Sequence, residues 1–247
     1  MNDDDLRFGG LARLSGAGGL QRLLQASVCV VGLGGVGSWA AESLARSAVG
    51  RITLVDLDDV CVSNVNRQLH ALDGAIGRPK VEVMAERIHA IHPACQVRAI
   101  AAFFTETTAE EILETRFDFV LDAIEQAANK RLRIAHCRQK EIPIVTVGGA
   151  CGRRNPAAIE VADLAQTSHD ALLRQVRQKL CEDHGFARDP KTPFGAPCVF
   201  FTEPAAAPRE GRAGRVTCDN GYGTASFVTG TFGLVAASCV VSKIAAG

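Results

Sequence analysis

The amino-acid sequence predicts an α/β protein: a mostly parallel sheet with helices on both faces, followed by a smaller C-terminal extension of strands, loops and a final helix. Three observations carry this. Apolar runs of strand length alternate with helical segments through the first part of the chain. The earliest run, Ser27–Gly32 (SVCVVG), is continuously apolar, as strands covered on both faces are. A glycine-rich turn follows it and opens a helix.

The remaining elements follow in order. Gly37–Ser47 is rich in Ala and reads as a helix, and Arg51–Asp56 (RITLVD) as a strand ending in an acid. Pro79–Ile91 is amphipathic, with Pro in its first turn, where a missing N–H is harmless. Gln96–Ala101 is a third strand and Thr107–Glu114 a short helix. Asp118–Ala123 (DFVLDA) and Ile142–Val147 (IPIVTV) are further strands. They bracket a helix over Asn129–Gln139, whose basic residues are expected on its outer face.

Past Gly148 the rhythm changes to a strand at Ile159–Asp163, a polar helix at Asp170–Glu182, and Gly/Pro-rich loops. Residues 222–241 carry no charge and could pass for a membrane span by length. Their Gly, Ala, Ser and Thr content reads instead as a helix buried in the fold. The whole chain, 1–247, is read as one domain, with a core over about 20–150 and an extension over about 151–247.

Composition narrows the classes. Lys and Arg number 27 and Asp and Glu 27, so no net charge draws the chain to nucleic acid or anionic membranes; an RNA partner needs a local basic patch. None of the nine Cys residues forms a CxxC, which argues against a disulfide framework and leaves no zinc expected. Scattered thiols suit a reducing, cytoplasmic setting. The acidic N-terminus lacks the apolar stretch of a secretory signal.

The chemistry begins at Gly32-Leu33-Gly34-Gly35-Val36-Gly37. Glycines between a strand and a helix allow a tight turn and let backbone N–H groups approach a phosphate. Asp56, ending the second strand, sits where such folds hydrogen-bond a ribose hydroxyl. These two features suit NAD and ATP alike. Asp58 and the run Ser63-Asn64-Val65-Asn66-Arg67-Gln68 follow, and Lys80 comes after Gly77-Arg78-Pro79. A triphosphate undergoing adenylyl transfer needs fixed cations along its length, and Arg67 and Lys80 suit that task. Asp122 and Glu125, at the end of the fourth strand, offer carboxylates for Mg²⁺, or caps for the helix that follows. Cys218, ahead of the last helix, is either a redox or acyl-carrying thiol or a packed helix-start residue; nothing near it in sequence lowers its pKa.

VGLGGVGSWAAESLARSAVGRITLVDLDDVCVSNVNRQ resembles the ubiquitin-activating-type (ThiF/MoeB/HesA) superfamily, and the resemblance runs from about Leu6 to the C-terminus. It implies a Rossmann-like fold and a carboxylate adenylated with ATP and Mg²⁺. Carried over, Gly35 touches nucleotide, Asp56 holds ribose, Ser63–Arg67 and Lys80 hold phosphates, and the metal acid falls at Glu125, where the superfamily usually has Asp. The spelling DDVCVSNVNRQLHAL and CDNGYGTASFVTGTFG is most similar to members acting on threonylcarbamoyladenosine in tRNA. For them it implies ring closure with loss of water through an acyl-adenylate. It also implies a homodimer, with Arg7 or Arg13 as the arginine supplied across the interface. Lys130–Lys140, Arg153-Arg154 and Arg209–Arg215 are candidate tRNA contacts. The alternatives are adenylation of a ubiquitin-like sulfur carrier, with a sulfur-acceptor protein as partner, an NAD-dependent dehydrogenase, and a silent dimerisation partner.

Overall fold

The computed structural model describes residues 3–206 and 222–247. Seven strands, β1 (Ser27–Val31), β2 (Arg51–Val55), β3 (Gln96–Ile100), β4 (Phe119–Asp122), β5 (Ile144–Val147), β6 (Ile159–Asp163) and β7 (Pro197–Phe201), form one sheet. Their order is β3-β2-β1-β4-β5-β7-β6, with only β6 antiparallel to its neighbour. The order reverses between β1 and β4, and the crevice at such a reversal is where open α/β sheets bind ligands.

Side-chain alternation along β1 explains the two layers of helix. Val28 and Val30 enter a core shared with α1 (Asp3–Gln25), α2 (Gly37–Arg46), α3 (Lys80–Ile91) and α7 (Ser226–Ala246). Cys29 and Val31 enter a second core shared with α4 (Glu106–Ile112), α5 (Ala127–Gln139) and α6 (Ala171–Asp183). Burial pushes the Cys29 and Cys137 thiols up to about 12, so both are small hydrophobes. Among the described residues seven cysteines are free, but Cys151 is disulfide-bonded, an exception to the reading of scattered thiols.

The uncharged C-terminal run is a core helix. Val228, Thr229, Phe232, Ala236, Ala237 and Val240 of α7 are buried against the sheet and α2. A Cβ on Gly233 would lie 2.4 Å from the Val36 carbonyl oxygen and 2.9 Å from Trp39 Cβ, so glycine is what lets the two helices touch.

Two elements lie outside the sequence reading. α1 forms despite five internal glycines, bending at Gly16 (φ 76°), because Phe8, Leu20 and Leu23 bury along it. β7 lies between β5 and the edge strand β6, so the extension continues the same sheet. One expectation fails within a correctly placed element. The basic face of α5 is not all outward: Lys130 and Arg133 are completely buried.

Candidate nucleotide-binding site

The glycine turn joins β1 to α2 in a shape only glycine permits. Gly32 has φ 90°, and a Cβ there would meet Ile124 Cγ2 at 2.7 Å. A Cβ on Gly37 would fall 1.7 Å from the Gly32 carbonyl oxygen. Gly34 faces open space, with nothing within 4 Å of its Cβ position.

Two hydrogen-bonded strings then gather the remaining motif residues. In the first, Asp56 Oδ2 accepts from Leu33 N at 2.6 Å and Oδ1 from Asp58 N at 2.9 Å. Asp58 Oδ2 in turn accepts from Lys80 Nζ at 2.9 Å, and its carbonyl accepts from Lys80 N at 3.0 Å. A carboxylate offers about four acceptor sites, so Asp56 retains capacity for sugar hydroxyls. Lys80 is buried and Asp58 exposed, which leaves an entering anion access to this pair.

The second string holds Arg67. Ser38 Oγ donates to the Gly34 carbonyl at 2.7 Å and accepts from Leu69 N at 3.2 Å. Trp39 Nε1 and Thr229 Oγ1 both donate to the Arg67 carbonyl, at 3.0 and 3.2 Å. The Arg67 side chain donates to Ser63 O at 2.7 Å and Asn66 Oδ1 at 3.1 Å, and its Cγ lies 3.4 Å from a Cβ built on Gly35. Arg67 thus stands beside the glycine turn. Asn66 ties this loop to the start of α7 through Thr224 O at 3.0 Å. Asn64 is buried and caps its own turn by accepting from Cys61 N at 3.1 Å.

The acids after β4 separate into two environments. Asp122 is fully buried and accepts from Lys130 Nζ (2.7 Å), Arg133 Nη1 (2.7 Å) and Thr146 Oγ1 (2.6 Å). Burial alone would raise its carboxyl, but the two cations outweigh that and hold it below the usual range. Its oxygens are therefore already engaged by fixed donors. Glu125 is exposed, with Oε1 3.4 Å from Cys151 Sγ. Asp170, the N-cap of α6, accepts from Gly149 N at 2.8 Å and so fixes the loop that carries Cys151.

The other candidates lie elsewhere. Arg7 donates to the Ile91 carbonyl at 3.2 Å, at the end of α3 remote from Lys80. Arg13 is exposed on α1. Of the basic residues offered for RNA, Lys130, Arg133 and Arg153 are buried, which removes them as surface contacts. Cys218 and Arg209–Arg215 lie outside the described residues. Sequence reasoning missed Ser38, Trp39 and Thr229, whose roles come from tertiary contacts. It also gave no role to His70, buried with neither ring nitrogen hydrogen-bonded; burial first, then Lys80 and Arg87, lower its pKa to about 4.

A doubly wound sheet, a glycine turn at its reversal point, an acid hydrogen-bonded to that turn and two cations beside it define a nucleotide-binding α/β protein of the adenylating type. The ThiF family model matches residues 9–246, and the chain belongs to that family. It is 45% identical over 248 residues to tRNA threonylcarbamoyladenosine dehydratase of Haemophilus influenzae, covering 99% of this chain and 95% of that protein. The crystal structure of the E. coli tRNA N6-threonylcarbamoyladenosine dehydratase in complex with ATP superposes with a TM-score of 0.91 at 45% identity, covering 99% and 96% of the two chains. The E. coli sulfur carrier protein ThiS adenylyltransferase is 35% identical over only 52% of this chain and 51% of its own length.

Proposed function

We propose that this chain uses ATP to activate the carboxylate of threonylcarbamoyladenosine in tRNA and closes it to a cyclic form with net loss of water. The observation that carries the reading is the hydrogen-bonded string from the glycine turn through Asp56 and Asp58 to Lys80, found in a chain similar to the tRNA enzymes over nearly its full length. A dehydrogenase would leave Lys80 and Arg67 without work. Relatives that adenylate sulfur carriers align over about half the chain, which disfavours that acceptor and a sulfur-acceptor partner.

In this mechanism the turn's backbone and the ribose-facing Asp56 seat ATP, with Gly34 leaving room for phosphate and Gly35 set against Arg67 and Thr229. A substrate carboxylate oxygen attacks the α-phosphorus and pyrophosphate leaves. Lys80 and Arg67, with Ser63 and Asn66 around them, offset the charge that builds on the phosphates. A nitrogen or oxygen of the same modification then attacks the activated carbonyl, loses its proton and expels AMP. Mg²⁺, held by the exposed Glu125, would add further charge neutralisation on the phosphates. Asp122 is assigned to holding the loop rather than to metal.

A homodimer completes the reading. Val62, Val65, Phe227 and Leu234 are 71%, 58%, 58% and 48% exposed, and the Asn66–Thr224 hydrogen bond brings the loop of Val62 and Val65 beside the start of α7, which carries Phe227. Such a patch is what a partner subunit covers, and Arg13 is the arginine we assign to a neighbour's triphosphate. The cytoplasm, where tRNA and ATP coexist, is the assigned location. Nucleoside mass spectrometry of tRNA incubated with the chain, ATP and Mg²⁺ tests the function. The modified nucleoside should lose the mass of one water; an unchanged nucleoside with active protein contradicts the proposal.

A further inference from the structure

Away from the nucleotide site, a cavity of about 620 Å³ lies between α6 and the segments on either side of it. Arg174, Arg177 and Arg188 line it together with Gln166, Thr167 and Gln178. Its one carboxylate, Glu182, is already bonded to Lys179 at 2.7 Å. Among the described residues none of the three arginines has a carboxylate within ion-pair distance. Basic residues of α5 and its C-cap differ in this respect, since Arg131 pairs with Asp183 and Lys140 with Glu110. Arg177 is half-buried, with its guanidinium bonded only to the neutral Thr167 hydroxyl. Burial disfavours its charge, and the nearby Asp170 offsets this only in part, a cost that a bound anion would relieve.

We infer that this arginine-lined cavity binds backbone phosphates of the tRNA substrate, as a docking point separate from the ATP site; the inference rests on the tRNA reading above. Guanidinium forks match phosphate oxygens in pairs, whereas solvated arginines on a neutral-charge protein gain nothing by clustering. The position suits a long substrate. Arg174 lies one turn inside α6, whose N-cap Asp170 holds Gly149 just beyond the end of β5. Four strand steps separate β1 from β6 in the sheet order, a lateral offset of ~19 Å at the usual spacing. A tRNA is longer than this offset, so one molecule can reach both places.

The test uses the full chain, tRNA carrying threonylcarbamoyladenosine, and the variants Arg174→Glu/Arg188→Glu and Arg174→Lys/Arg188→Lys. Both positions are exposed, so folding should be unchanged, which ATP affinity checks. The glutamate variant should bind tRNA at least about tenfold more weakly, with the salt dependence of binding reduced by about two counterions. KM for tRNA should rise while kcat is kept, and the lysine variant should recover most of the salt dependence. Unaltered tRNA affinity and salt dependence in the glutamate variant, beside a wild type that cyclises tRNA, would overturn the cavity's role alone. A wild type that neither binds nor cyclises tRNA would overturn the functional reading on which it rests.

Discussion

At position 80 a buried lysine faces a single exposed carboxylate, Asp58, and both belong to the string that reaches the glycine turn. An entering triphosphate can exchange for that carboxylate without moving the lysine far. Lys80→Met should therefore slow substrate-dependent ATP–pyrophosphate exchange by about a hundredfold, equivalent to about 3 kcal/mol for lost charge-assisted bonds. The melting temperature should change little, since no buried acid is stranded. His70 gives a second residue-level consequence. Its folded pKa of about 4 lies below the ordinary 6.5, so only the unfolded chain takes up a proton between those values. Stability should fall as pH drops from 6.5 towards 4, by up to about 3 kcal/mol, and level off below. In His70→Leu that part of the pH dependence should be missing from urea unfolding curves; an identical slope in both proteins would refute it. The motif residues were legible because the turn, the acid and the cations are each spelled locally. Ser38, Trp39 and Thr229 were not, because what they hold is 28 or more residues away in sequence, except for Ser38 and Gly34.

Among the elements, α7 shows how composition sets position. Its glycine and alanine face lets it approach α2 at Val36, the residue inside the glycine turn. Gly233→Val should push α7 away from that contact, costing about 1–3 kcal/mol in stability. It should also weaken ATP binding through the displaced turn; a variant as stable as the wild type would show the contact to be dispensable. Strands β1 to β6 were readable, β1, β4 and β5 from their apolar runs, and the helix termini fell within one or two residues for α2, α3 and α6. α1 was not, because helix propensity argues against a segment spelled FGG and GAGG, and only burial of Phe8, Leu20 and Leu23 overrides it. β7 escaped because four apolar residues after a proline carry no period. The buried Lys130 and Arg133 escaped for a related reason: charge in the sequence reads as surface until its partner, Asp122, is placed.

For the molecule as a whole, the account requires two subunits and a long anionic substrate around one sheet. Phe227→Glu should convert a dimer to monomer in sedimentation velocity and lower ATP-dependent activity, because Arg13 would no longer reach a neighbour's site. A monomeric variant with full activity would remove the shared-arginine assignment. The central claim, however, is chemical: the substrate carboxylate leaves its oxygen on the nucleotide. It is tested most directly by preparing tRNA whose threonylcarbamoyl carboxylate carries heavy oxygen and analysing the products of a single turnover. The label should appear in AMP, since ring closure breaks the bond between the carbonyl carbon and the bridging oxygen. Label found in inorganic phosphate or water, with AMP unlabelled, would contradict carboxylate adenylation.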